Sequence, residues 1–103
     1  MFFKKTKNEK AAISFWKWFK RNEIWIISKY ATSKYAVTWA IEDRLKPSFS
    51  RIKEALKFEL GFTPEKGTFY LYTLGNEKIL KSAEFLKNMM PAGISDHWDF
   101  VIA

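Results

Sequence analysis

Near residue 57 the hydrophobic period of this chain changes, and that change limits the fold more than any other feature. Before it, Val37, Ile41 and Leu45 recur at i, i+4, i+8, the stripe of an amphipathic helix. After it, Phe58, Leu60 and Phe62 alternate with Lys57, Glu59 and Gly61, the pattern of a half-buried strand. A helical period and a strand period cannot be exchanged without turning every apolar side chain to the wrong face. The first half is therefore predicted helical and the second half mixed, which is an α+β fold.

Breakers fall between the periodic segments rather than within them. Thr6-x-x-Glu9 has the form of a capping box, so a first helix is expected from about residue 7, with Ser14 as the later alternative start, to about Tyr30. Thr32 or Ser33 can cap a second helix that ends or kinks at Pro47, with a further turn or two suggested by Phe49, Ile52 and Leu56. Thr63 to Gly67 reads as a hairpin loop, and Thr68 to Leu74 as a β-branched and aromatic second strand. Asn76 can cap a third helix burying Ile79, Leu80, Ala83, Leu86 and Met90, and Trp98, Phe100 and Ile102 mark a last strand. The order is α-α-β-β-α-β. The simplest sheet is three-stranded and mixed, its third strand antiparallel to the first and parallel to the second, with helices mainly on one face. A chain of 103 residues makes one domain, 1–103, of which residues 1–8 are expected as a flexible basic tail.

The net charge is +7, and residues 1–34 hold nine basic side chains against Glu9 and Glu23, so the whole excess sits there. Such asymmetry points to an anionic partner at that end, or to a lysine-rich tail that only aids solubility. There is no cysteine, which fits a reducing compartment and a cytoplasmic location. Met1-Phe2-Phe3-Lys4-Lys5 is no signal peptide, and the apolar stretch from Ile13 to Ile27 is broken by charges too often to span a membrane.

Ser14-Phe15-Trp16-Lys17-Trp18-Phe19-Lys20-Arg21-Asn22-Glu23 resembles the "FWxWFxxNE" opening of a group of small uncharacterised bacterial proteins. Phe58-Glu59-Leu60-Gly61 and Trp98-Asp99-Phe100-Val101-Ile102-Ala103 are similar to that group's middle and terminal strands. The resemblance implies a bacterial α+β protein and brings with it no activity and no site residues.

Common enzyme chemistry finds little to work with. The one histidine, His97, lies between Asp96 and Asp99 and is expected to begin a strand, where a metal site needs three or four ligands and a triad a positioned nucleophile. Isolated glycines make no phosphate loop, and Glu42 and Asp43, adjacent on a helix, do not converge on one atom. No catalytic, cofactor-binding or metal residues are assigned, no cofactor or small-molecule ligand is implied, and no enzyme is expected.

On a helical wheel carried through residues 13–30, Glu23 falls on the apolar face with Phe15, Trp16, Phe19, Ile26, Ile27 and Tyr30. A carboxylate there is expected at a rim, paired with Lys20 or Lys34 in a buried ion pair. Trp18 and Trp25 fall on the other side among Lys17, Arg21 and Lys29, and Trp39 lies off the second helix's stripe. Either another element covers these indoles, or they anchor an interface. The expected interaction surface is Lys17, Trp18, Arg21, Trp25 and Lys29. Its partner is an acidic protein or a second copy of the chain, with nucleic acid as the alternative and peripheral membrane contact as a third reading. The open face of the sheet, with Lys57, Glu59, Tyr70 and Asp99, is a further place for stacked bases, although its carboxylates repel phosphate.

Overall fold

A computed structural model describes residues 6–49, 52 and 56–103. They fall into two compact units, residues 1–48 and 49–103. The α+β class holds, with helices first and a mixed sheet after them. Among the described residues there is no strand within 15–45 and no helix across 68–74.

The first unit is helical: α1 (Lys7–Arg21), α2 (Glu23–Tyr30) and α3 (Lys34–Leu45), followed by a 3-10 turn, Lys46–Phe49. Thr6 caps α1 as its sequence suggests: its Oγ1 accepts from the Glu9 amide at 3.1 Å and donates to Glu9 Oε1 at 3.2 Å. Residues 7 and 8, expected in a tail, are thus the first turn of a helix, while 1–5 lie outside the described residues. The single helix expected to Tyr30 is two. At Asn22 the backbone leaves helical geometry (φ −109°, ψ 10°), its amide is shared between the Trp18 and Phe19 carbonyls, and its Nδ2 donates to the Trp18 carbonyl at 2.9 Å. An asparagine side chain that satisfies a terminal carbonyl competes with helix continuation. Ala12, Phe15, Trp16 and Phe19 of α1, Ile26 of α2, and Val37, Ile41 and Leu45 of α3 are buried. The break also spoils a wheel carried straight through it: Ile27, expected inside, is 45% exposed. Of the turn expected after Pro47, the Ile52 amide bonds to the Phe49 carbonyl; 50–51 and 53–55 lie outside the described residues.

The second unit holds β1 (Lys57–Phe62), β2 (Gly67–Tyr72), α4 (Glu77–Asn88), a single turn α5 (Ala92–Ser95) and β3 (Trp98–Ile102). β2 is central; it runs antiparallel to β1 and parallel to β3, the directions that a hairpin followed by a helical crossover gives. The register puts Phe58, Leu60, Phe62, Gly67, Phe69, Leu71, Trp98, Phe100 and Ile102 on one face. Phe69 lies between Phe58 and Phe100, with ring centroids at 5.3 and 5.2 Å and planes within about 11° of parallel, a row of stacked rings across all three strands. Gly67 is buried because the Trp98 indole lies across it; a Cβ there would fall 2.7 Å from two indole carbons. Asn76 Oδ1 caps α4 through the Lys78 and Ile79 amides at 2.9 and 3.2 Å. α4 buries Ile79, Ala83 and Leu86; Leu80 is 37% exposed, because it lies off that stripe.

Candidate functional site

α1 is amphipathic in a specific sense: its buried residues and its cations occupy opposite sides. At about 100° per residue, Lys10, Ser14, Lys17 and Arg21 fall in one narrow row, away from Ala12, Phe15, Trp16 and Phe19. The row opens into a groove of about 390 Å³, lined also by Ile13, Trp18 and, from α3, Arg44. Arg44 sets its guanidinium carbon 5.6 Å from the centroid of the Trp18 ring, while Phe15 lies 6.3 Å from that ring at a tilt of 37°. Trp18 is half-buried in consequence. A cation over an indole face is held by the ring quadrupole, so Arg44 is fixed against the groove wall.

Lys10, Lys17, Arg21 and Arg44 form no ion pair with any described residue; the ion pairs among the described residues are Lys66–Asp99 and Lys81–Glu77, both in the second unit. Four cations about one groove with no carboxylate between them make a local positive field that an anion lowers. Guanidinium forks from Arg21 and Arg44 suit carboxylate or phosphate oxygens.

Of the five residues expected on the binding surface, Lys17, Trp18 and Arg21 meet in this groove. Trp25 and Lys29 do not line it: the break at Asn22 places them on α2, where both are exposed. Lys10 and Ser14 were legible from their spacing with Lys17 and Arg21 at i, i+4, i+7, i+11. Arg44 was not, because only the packing of α3 brings it to Trp18.

The ion pair expected for Glu23 is absent among the described residues, and its Oε2 is buried with no hydrogen-bond partner. Glu23 is the first residue of α2, where the helix dipole favours a carboxylate, but no amide of that helix bonds to Oε2.

His97 is exposed in the turn before β3, so it does not begin the strand; its backbone bonds to Ile94 and Gly67. Among the described residues no three His, Cys, Asp or Glu side chains cluster as a metal site would need, and no helix is long and apolar enough to cross a membrane. The sheet's second face carries Lys57, Glu59, Tyr70, Tyr72, Asp99 and Val101, and its two carboxylates are engaged with their neighbours. Lys66 pairs with Asp99 at 3.2 Å, and the Tyr72 hydroxyl donates to Glu59 Oε2 at 3.3 Å. Partial removal from water, then the Glu59 carboxylate, hold the Tyr72 phenol above the usual tyrosine range.

Fold and groove define a small α+β protein with a basic helical surface. The chain matches no protein-family model, no curated protein and no solved structure.

Proposed function

We propose that this is a non-catalytic docking protein whose helical unit holds an acidic segment of a partner protein along the exposed row of α1. The observation that carries the reading is the groove itself: Lys10, Lys17, Arg21 and Arg44 converge with no counter-ion among the described residues. A row from Lys10 to Arg21 is about 16 Å long at the helical rise, enough for several carboxylates of an extended peptide. Nucleic acid is the weaker fit. A basic groove that binds single strands ordinarily offers free aromatic faces for bases to stack on, whereas Trp18 has Arg44 over its ring and Phe15 beside it.

The test is fluorescence anisotropy with two labelled probes, a glutamate-rich peptide and a single-stranded oligonucleotide of matched charge. The peptide should bind the wild-type chain. Lys17→Ala/Arg21→Ala should weaken it at least tenfold, or about 1.4 kcal/mol, with helix content unchanged by circular dichroism. Tighter binding of the oligonucleotide, with a slope near −0.7 per phosphate in log salt, would transfer the groove to nucleic acid. Undiminished peptide binding by the folded double variant would leave the row as a merely solvated surface.

A further inference from the structure

Ser14 stands in the middle of the α1 row, and its side chain is the shortest along it, between Lys10 on one side and Lys17 and Arg21 on the other. Lys10, Lys17 and Trp18 are its neighbours on the helix surface, at i−4, i+3 and i+4. Trp18 in turn holds the Arg44 guanidinium against its ring. Three cations from two helices therefore surround one small exposed hydroxyl. That hydroxyl bonds to no described residue, whereas Ser28, also exposed on its helix, bonds back to the Ile24 carbonyl at 2.9 Å. Ser14 thus keeps a donor for something that enters the groove.

We infer that the acidic segment held in this groove carries a phosphorylated side chain, whose phosphate monoester seats over Ser14 among Lys10, Lys17 and Arg44. This rests on the peptide reading of the groove and names the group that fills its centre. Charge density selects phosphate over carboxylate. In an extended peptide, side chains on one side recur about every 7 Å. Glutamates can therefore follow the length of the row, but they bring a single charge to any one point on it. A phosphate monoester brings about 1.5 to 2 negative charges and three acceptor oxygens to one point. Three cations and a hydroxyl donor about one position match that group. Arg44, already held by the indole, can offer its guanidinium fork to two of the oxygens with little ordering left to lose. Lys10 and Lys17 balance the charge, and the Ser14 hydroxyl donates to a remaining lone pair. Arg21, about 10 Å further along the helix, is left for a carboxylate of the same segment.

The test uses three labelled peptides of one glutamate-flanked sequence, whose central residue is phosphoserine, glutamate or serine. Near neutral pH the phosphoserine peptide should bind the wild-type chain about tenfold more tightly than its glutamate twin. That advantage should disappear between about pH 7 and pH 5, as the phosphate takes up its second proton near pH 6. No histidine or carboxylate lines the groove, so the change belongs to the ligand. Ser14→Ala should weaken the phosphoserine peptide about threefold to tenfold and leave the glutamate peptide within about twofold. Arg44→Ala should weaken the phosphoserine peptide more than the glutamate peptide. Ser14 and Arg44 are both exposed, so circular dichroism should report no loss of fold. Equal affinity for the phosphoserine and glutamate peptides would overturn the phosphate and leave the groove a carboxylate site. No binding of any of the three would overturn the peptide reading as well. A phosphoserine preference that survives both substitutions would overturn its seat over Ser14. Tighter binding of a single-stranded oligonucleotide of matched charge than of the phosphoserine peptide would give the groove to nucleic acid.

Discussion

The two units spend their tryptophans in different ways. In the second, Phe58, Phe69 and Phe100 stack on one another and Trp98 is buried over Gly67. In the first, which has four of the five tryptophans, only Trp16 is buried; Trp18 is half-covered, and Trp25 and Trp39 are exposed. Charge divides the same way. Residues 1–48 carry eleven basic side chains against four acidic, and residues 49–103 carry seven of each, so the net +7 belongs entirely to the helical unit. A sheet with one apolar face gains most by covering it with its own rings. A helix needs only one stripe inside and leaves the rest of its circumference for contact with something else. The difference teaches where to look for function: unpaired cations and exposed tryptophans gather in the basic unit, while the one tryptophan of the neutral unit is used in its own core.

That contrast can be broken most forcefully in the second unit. Phe69→Ala removes the middle ring of the stack and should cost about 3–5 kcal/mol, seen as a collapse of the urea midpoint; a loss below about 1 kcal/mol would mean that the stack contributes little. Gly67→Ala drives a methyl into the Trp98 indole and should cost about 1–3 kcal/mol, with a shift in tryptophan emission. Neither change should touch peptide binding if the α1 groove is self-sufficient. In the first unit the expected effect is on affinity instead. Arg44→Ala should weaken the glutamate-rich peptide about threefold to tenfold, or about 0.7–1.4 kcal/mol. Unchanged affinity would show that Arg44 only covers Trp18.

Smaller still is the cap of α4. Asn76→Ala should cost about 1 kcal/mol by leaving the Lys78 and Ile79 amides unmet, read as a modest drop in thermal midpoint. The least effect is the titration of Tyr72. Because its phenol is held above the ordinary range, the unfolded chain gives up this proton first as pH rises. The stability it contributes is therefore fully present below about pH 10 and is lost as pH climbs through the folded value. Glu59→Gln removes the neighbouring charge and should bring the phenolate absorbance transition to lower pH; an unmoved transition would leave partial burial as the whole cause.

The period change at residue 57 was enough to read the fold class, and the residues at Thr6 and Asn76 were enough to read their caps, because each depends on residues close together in sequence; the strand directions followed from the hairpin and the helical crossover. The break at Asn22 was hidden. Helical periodicity runs through it, and only Asn22, with its backbone amide and its side-chain amide both turned back on the Trp18 carbonyl, marks the end of the helix. That break decided the fate of the expected site. It kept Lys17, Trp18 and Arg21 together, moved Trp25 and Lys29 to another helix, and put Glu23 at a helix start. The missing member, Arg44, lies twenty-six residues beyond Trp18, and nothing local marks it as a neighbour.

The pairing of β2 with β3 also sets an order of events. β1 and β2 are joined by four residues, Thr63 to Lys66, and can close as a hairpin within microseconds. Twenty-five residues separate the end of β2 from the start of β3, so the parallel half of the sheet must wait for a long loop to close. Phe100 completes the ring stack only then, and Trp98 settles on Gly67 at the same moment. A tryptophan signal at position 98 should therefore report the closing of the parallel half of the sheet, the slower of its two pairings.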